Sequence, residues 1–525
     1  MFGGLTKTSS RIAIAAALGM TLGGFAMSAH PAKAADLGGD CCADLEERVA
    51  ELEATTVRKG NKKVSVTLSG WVVKYGAFWD DGHENNFYVG DKHTTLSSHF
   101  TISGQATIAP GWTGGYNLTV EVRGGNAVGD DNQFNENSAN GSSLDILGNT
   151  SALLSYMWIK SDKWGTVNWG QLSQATDNVA LLPDLSGTII ESNAVLFDGQ
   201  AFLIRPKGAK NSNDLSNDFT WGSVVNCLSA GGGIGADCNG YPENGVRYDS
   251  PTFSGFSVSG GVYEDKVKDI AVKYAADWNS IKFAAAFGFS NVTDEGCFSG
   301  GSSSSGASCG LVLQGGGGAP FQNFRRDADV WQVGASIMHV PSGRWAYGLW
   351  QQEDNNGTQL KVLNVNTDRF VNSAANTTDV WFVKAGIKRT WTPLGATVIW
   401  GEGGQYLDMF SGMCGTPGAV TFNDNTFCKT SIPTGQFNKD GTNVTQQVFV
   451  TGSEVNRWGV GVVQEIDSAA MHLFARWQHV KLDLNAFDCG SCIGAASVGS
   501  VDFGQKVKSN WDALDLFQVG GVIFF

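Results

Sequence analysis

The residues of this 525-residue chain that could do chemistry are ten cysteines, seven histidines and one Gly-x-Ser-x-Gly stretch. Gly306-Ala307-Ser308-Cys309-Gly310 matches the spacing of a nucleophile elbow, in which a strained strand-to-helix turn presents a serine to a base. Here it follows a serine run, with no strand pattern before it and no helix pattern after it. Cys489-Gly490-Ser491-Cys492 has the spacing of a redox or metal motif, yet no partner histidine or βαβ setting accompanies it. The histidines form no metal-ligand spacing, and the glycine runs 231–233 and 315–318 open no helix that could cradle a phosphate. The residues therefore supply no nucleophile with its base, and no enzyme activity, resident metal or cofactor is expected. Eight cysteines instead fall as near neighbours: Cys227 with Cys238, Cys297 with Cys309, Cys414 with Cys428, and Cys489 with Cys492. In an exported chain such pairs read as disulfides. Cys41 and Cys42 are left over.

The elements that would position these residues are strands. Tyr116, Leu118, Val120 and Val122 alternate with Asn117, Thr119, Glu121 and Arg123, a period of two with one apolar and one polar face. Sixteen such segments are expected. They run from Lys62 to Trp79, Phe100 to Ile108, Tyr116 to Arg123, Ala152 to Lys160, Trp164 to Gln171, Asn244 to Ser250, Ser257 to Glu264, Ile270 to Trp278 and Ile281 to Ser290. Seven more begin near Asp329, Arg344, Asp379, Ala396, Asn456, Met471 and Trp511. Tight connections such as Asn279-Ser280 alternate with long ones rich in Gly, Ser and Asn, as in a barrel with short periplasmic turns and long outer loops. Trp112, Trp164, Trp278 and Trp391 lie by the short turns, and Trp331, Trp381, Trp458 and Trp511 toward the long loops, where interfacial girdles belong. The expected fold is all-β, a 16-stranded antiparallel transmembrane β-barrel over residues 62–525.

Both ends of the chain fit that expectation. Lys7 and Arg11 precede an apolar stretch from Ile12 to Met27, and Ala32-Lys33-Ala34 supplies small residues for cleavage, so residues 1–34 read as a secretory signal. Residues 35–61 read as a periplasmic segment. Within it, Asp44 to Glu53 places Leu45, Val49 and Leu52 at a/d-like spacing. A helix that short holds a coiled coil only if a barrel brings three copies together. It could otherwise serve as a spacer, or as a tether to the cell wall. At the other end Phe517, Val519, Gly521, Ile523 and Phe525 fall on one face of a final strand, and terminal Phe525 is expected to act as the insertion signal read by the outer-membrane assembly machinery. Removal of Lys7, Arg11 and Lys33 with the signal leaves 33 bases against 50 acids, a net charge of −17. So acidic a chain is a poor partner for nucleic acid. Acidic outer loops would instead bind divalent cations alongside lipopolysaccharide, or bias a pore toward cations.

Several stretches together resemble one family. They are Lys63-Val64-Ser65-Val66-Thr67-Leu68-Ser69-Gly70-Trp71, Thr166-Val167-Asn168-Trp169-Gly170-Gln171, and Val246-Arg247-Tyr248-Asp249-Ser250-Pro251-Thr252-Phe253-Ser254-Gly255-Phe256, with the cysteine-bearing helix before them and the terminal phenylalanine after. The chain resembles the alphaproteobacterial porins. The resemblance implies a homotrimer of 16-stranded barrels in outer-membrane lipid, through which small hydrophilic solutes diffuse. It also implies a third outer loop folded inward, with acids facing bases on the opposite wall. That loop begins after Gln171 and includes Asp177, Asp184, Glu191 and Asp198. Strand alternation puts Arg123, Arg247, Lys273, Lys384 and Arg476 on the water-facing parity, which makes them the expected wall bases. Opposed charges across a narrow gap would create a transverse field that orders water and sets ion preference. Gln171 stands where many members of the family carry arginine, and the loop has Pro183-Asp184-Leu185-Ser186-Gly187 rather than a Pro-Glu-Phe motif. The stretch runs some seventy residues to Asn244, so part of it is expected to emerge again, carrying Cys227 and Cys238. A substrate-specific channel would show rings inside the pore, and Phe382, Trp350 and Phe474 are given that parity.

Overall fold

Alternating polar and apolar residues leave little choice but strands, and strands account for nearly all the regular structure. The computed structural model describes residues 63–92, 96–122, 133, 150–195, 198–200, 202–207, 220–225, 227, 235–238, 242–296, 325–355, 361–364, 369–372, 377–409, 420–422, 425–427, 430–437, 443–488, 506–508 and 511–525. The signal segment, the Asp44–Glu53 helix, Arg123, Cys41, Cys42 and the cysteine pairs 297/309, 414/428 and 489/492 lie outside the described residues.

The strands are β1 (Thr67–Asp80), β2 (Asn85–Gly90), β3 (His99–Ala109), β4 (Trp112–Val122), β5 (Thr150–Ser161), β6 (Gly165–Leu172), β7 (Glu243–Asp249), β8 (Phe256–Tyr263), β9 (Lys268–Trp278), β10 (Ile281–Gly296), β11 (Arg325–His339) and β12 (Arg344–Asn355). They continue with β13 (Lys361–Asn364), β14 (Arg369–Asn372), β15 (Thr377–Thr392), β16 (Gly395–Leu407), β17 (Val420–Phe422), β18 (Asn425–Phe427), β19 (Thr430–Phe437), β20 (Asn443–Ile466), β21 (Met471–Asp488), β22 (Lys506–Lys508) and β23 (Leu514–Phe524). β2 and β3 are two halves of one strand, since both pair with β1, at Tyr75–Asp80 and at Thr67–Trp71, and residues 91–98 interrupt them. β13–β14 and β17–β18 form separate hairpins, while β19 and β22 extend the sheet within long connections. The remaining strands make the expected ring of sixteen, antiparallel throughout.

The ring closes between its ends. β1 and β23 pair from Trp71↔Phe524 to Asp80↔Asp515, and Gly70 and Phe525 exchange backbone hydrogen bonds of 2.9 and 3.1 Å. Closure removes the unpaired edge that an open sheet would present. The two-residue turn Asn279-Ser280 has φ of 42° and 78°, the paired left-handed conformation whose twist matches that of its flanking strands.

The outward faces carry exposed Val72, Phe78, Leu118, Ile270, Ile399 and Val519. Trp112, Trp164, Trp278 and Trp391 are exposed at the turn ends, and Trp331, Trp381 and Trp458 toward the opposite ends. Trp511 departs from the expected girdle. It is buried, precedes β23 and bridges Pro206, because the long connection after β6 packs against it. The apolar core lies inside the ring, where Trp71, Val73, Tyr75, Ala77 and Trp79 of β1 meet Leu181, Phe202, Ile204, Trp221 and Val224 of that connection.

Candidate functional site

The chain leaves β6 at Leu172 and is held against the inward faces of successive strands. The Ala175 N–H donates to Tyr263 Oη at 2.8 Å, and the Thr176 N–H to Asp269 Oδ2 at 2.8 Å. Glycines on the wall leave room for the backbone. A Cβ at Gly334 would lie 1.9 Å from the Ala180 carbonyl oxygen, and one at Gly288 would lie 2.6 Å from Val179. Tyr347 Oη donates to the Ala180 carbonyl at 2.7 Å, and the Leu185 N–H donates to Ser336 Oγ at 3.3 Å.

Charged groups take over farther along. Lys384 Nζ lies 3.2 Å from Asp184 Oδ2 and also donates to the Ser192 carbonyl at 2.9 Å. Glu191 Oε1 lies 2.7 Å from His472 Nδ1, and the Glu191 carbonyl accepts from Arg476 at 2.6 Å. Asp198 meets Arg476 at 2.5 Å, Lys92 at 2.7 Å and Tyr75 Oη at 3.2 Å. Arg457 pairs with Glu402 at 2.8 Å and donates to Ser192 Oγ at 3.2 Å, while Ser192 Oγ also bonds Glu402. Farther out, Arg205 pairs with Asp81 at 2.8 Å and Glu84 at 2.7 Å.

Three of the four expected loop acids thus meet wall bases directly. The carboxylates of Asp184 and Asp198 are joined to Lys384 and Arg476, whereas Glu191 meets Arg476 only through its backbone carbonyl and gives its carboxylate to His472. Their side chains are almost wholly buried, so these contacts clamp the loop to one wall instead of facing bases across a gap. Asp177 lies elsewhere. Asn178 links it to Asp237, its Nδ2 donating to Asp177 at 2.6 Å and its backbone N–H to Asp237 at 3.2 Å. Arg247 and Lys273 are the nearby charges that act on Asp177. Arg247 itself pairs with Asp249 at 3.2 Å and donates to the Ser173 carbonyl at 2.6 Å.

Burial raises the Asp177 carboxyl to about 6, despite the opposing pull of Ser173, Arg247 and Lys273. Burial and the neighbouring Asp177 hold the Asp237 carboxyl well above the usual range. The Asp198 carboxyl is also pushed up by burial, but Lys92 and Arg476 more than reverse this and leave it well below the usual range. His472 does the same for Glu191.

Two placements correct the sequence reading. Cys227 and Cys238 form a disulfide, but the two cysteines are not carried to the outside of the barrel. The pair is buried, and the Cys238 N–H donates to Gln351 Oε1 at 3.2 Å on the inward face of β12, because apolar residues of the connection complete the core there. Phe382 and Phe474 point inward and are buried, whereas Trp350 is exposed on the outward face, since β12 turns Trp345, Tyr347, Leu349 and Gln351 inward. Lys92, Glu402, Arg457 and His472 were not singled out from sequence. His472 shares the parity of Arg476, and Arg457 that of buried Val455, so alternation could have flagged both.

No family model matches the chain, and no curated protein matches it. Among solved structures, the chain is similar to the anion-selective porin from Comamonas acidovorans, at 15% identity and a TM-score of 0.45, covering 88% of this chain and 100% of that one. OprB of Pseudomonas putida, in a high-pH structure, matches at 10% identity and a TM-score of 0.46, covering 92% and 97%. OmpF of Salmonella typhi, in complex with daunomycin, matches at 13% identity and a TM-score of 0.42, covering 90% and 100%.

Proposed function

We propose that this chain is an outer-membrane porin, a water-filled channel for passive diffusion of ions and small hydrophilic solutes. The observation that carries the reading is a closed ring of sixteen strands with an apolar outward face and charged side chains converging inside it. Strands cross lipid only when every backbone group is paired, and a ring of this size leaves room for an aqueous path. In this reading the connection after β6 narrows the lumen, and the clamp of Asp184, Glu191 and Asp198 on Lys384, His472 and Arg476 fixes how far. The porin assembles as a homotrimer in contact with lipid and lipopolysaccharide, and no catalytic role is proposed. Single-channel current across a planar bilayer, with a salt gradient, tests it: open steps with weak selectivity are expected.

A second reading, a solute-selective channel, is favoured by the filling of the lumen, where Phe382 and Phe474 are buried beside the clamp. Block of the current by one solute class and no other would support it.

A further inference from the structure

A carboxylate is buried against the Cys227–Cys238 disulfide. Glu353 lies on the inward face of β12, in register between Val330 of β11 and Thr378 of β15, and is wholly removed from solvent. Thr378 Oγ1 donates to Glu353 Oε2 at 3.4 Å. A carboxylate oxygen of Glu353 and the sulfur atoms of Cys227 and Cys238 lie within 4.8 Å of one another, and all three residues are buried. A closed disulfide offers a carboxylate neither charge nor a donor, so this contact does not offset the cost of burying Glu353 beside it.

The sulfurs are held by the same strand. Gln351, two residues before Glu353 on the same face, accepts from the Cys238 N–H at 3.2 Å through Oε1. Its Nε2 lies 2.9 Å from Cys238 Sγ and donates to the Gly235 carbonyl at 2.9 Å. Gln332 of β11 fixes the orientation of that amide, its Nε2 donating to Gln351 Oε1 at 3.1 Å. Cys227 Sγ lies 3.8 Å from the Gly235 carbonyl oxygen. One sulfur thus has an N–H aimed at it, an arrangement that favours the thiolate form once the disulfide is open.

We propose that Cys227, Cys238 and Glu353 form a metal site when the disulfide is reduced, and that it takes one divalent ion of the zinc class. A phosphine supplies the two electrons: phosphorus is oxidised to the phosphine oxide, the S–S bond breaks, and one water gives its oxygen to phosphorus and its two protons to the sulfurs. Binding of the ion then releases those two protons. Cysteine and carboxylate ligands sit about 2.0–2.3 Å from such an ion, and three atoms already within 4.8 Å of one another reach that spacing by side-chain rotation. Thiolate selects zinc or cobalt over magnesium and calcium. Three protein ligands leave a fourth position open. The two sulfurs belong to the connection after β6 and the oxygen to the wall, so the ion ties that connection to β12, whereas the disulfide ties it only to itself.

Cobalt(II) is the probe, because its bonds to thiolate absorb light. It is titrated into the purified full chain in detergent, with the other eight of the ten cysteines replaced by serine and the folded barrel checked by its heat-dependent electrophoretic mobility. After phosphine treatment, one cobalt per chain with a thiolate-to-metal absorption band is expected, displaced by zinc and not by magnesium. Glu353→Gln should weaken binding by at least about tenfold, the smaller loss typical of removing an outer contact of a metal site. Absence of the band from folded, reduced protein would overturn the proposal, as would equal binding with the disulfide closed or an unchanged affinity in Glu353→Gln. If the serine-replaced chain does not fold, the wild type decides: reduced, it should bind one more cobalt than a Cys227→Ser, Cys238→Ser variant, and equal stoichiometry would overturn the site. No current is read, so failure here leaves the channel reading untouched.

Discussion

Asp198 lies between two cations, 2.7 Å from Lys92 and 2.5 Å from Arg476, with all three side chains almost wholly removed from solvent. A buried ion pair contributes little net stability relative to an apolar replacement, but removing one partner strands the other, at a cost of about 3–5 kcal/mol. Asp198→Asn therefore strands two cations at once. The expected outcome is a barrel that still folds with its loop loosened, read as faster hydrogen exchange over residues 191–200 and a noisier open-channel current. Unchanged exchange would mean that the clamp does not hold the loop.

The carboxyls of the connection respond to pH in opposite directions. Asp177 is raised to about 6 and Asp237 well above its usual range, against an unfolded value near 3.9. The stability they contribute is fully present below the unfolded value and is lost as pH rises through the folded one. Asp198 and Glu191 are depressed. Their contribution is present above the unfolded value and is lost only as pH falls through their depressed values. Between about pH 4 and 6 the Asp177–Asp237 pair should dominate, so the thermal midpoint should fall as pH rises. Asp237→Asn should flatten that slope, and a wild-type slope in this variant would contradict the assignment.

The space in front of Gly334 is filled by loop backbone, since a methyl group added there would stand 1.9 Å from the Ala180 carbonyl oxygen. Gly334→Val should push the loop off the wall, with a destabilisation of about 1–3 kcal/mol typical of overpacking. Ser336→Ala removes only a 3.3 Å bond to the Leu185 N–H and should cost about 1 kcal/mol or less. Equal effects from the two would show that the loop does not press on β11.

The Cys227–Cys238 disulfide closes a segment with a sequence separation of 11. Closing such a loop typically contributes about 2–4 kcal/mol, mainly by restricting the unfolded chain. Replacing both cysteines by serine should raise exchange over residues 220–238 while the β1–β23 seam stays protected. Loss of protection at the seam as well would tie the disulfide to closure of the whole barrel.

The ring was legible where one face meets water and the other does not, as in β4, whose Asn117, Thr119 and Glu121 alternate with Tyr116, Leu118 and Val120. Legibility failed where the lumen is filled. β1 turns Trp71, Val73, Tyr75 and Trp79 inward against the loop and Val72 and Phe78 outward, so both faces are apolar and period two carries no sign. The same filling explains Trp350, since β12 carries aromatic residues on both faces. The clamp was half legible. Charge and parity marked Lys384 and Arg476, but no local pattern links Asp198 to Lys92 across 106 residues, and the interruption that aims Lys92 inward has no sequence signature that we recognise.

Whether a solute path passes this loop is tested most directly by current through the purified full-length protein in a planar bilayer. Stepwise openings with weak ion selectivity are predicted for the wild type, and steps of similar reversal potential with added noise for Asp198→Asn. Folded, inserted protein that passes no current would contradict the channel.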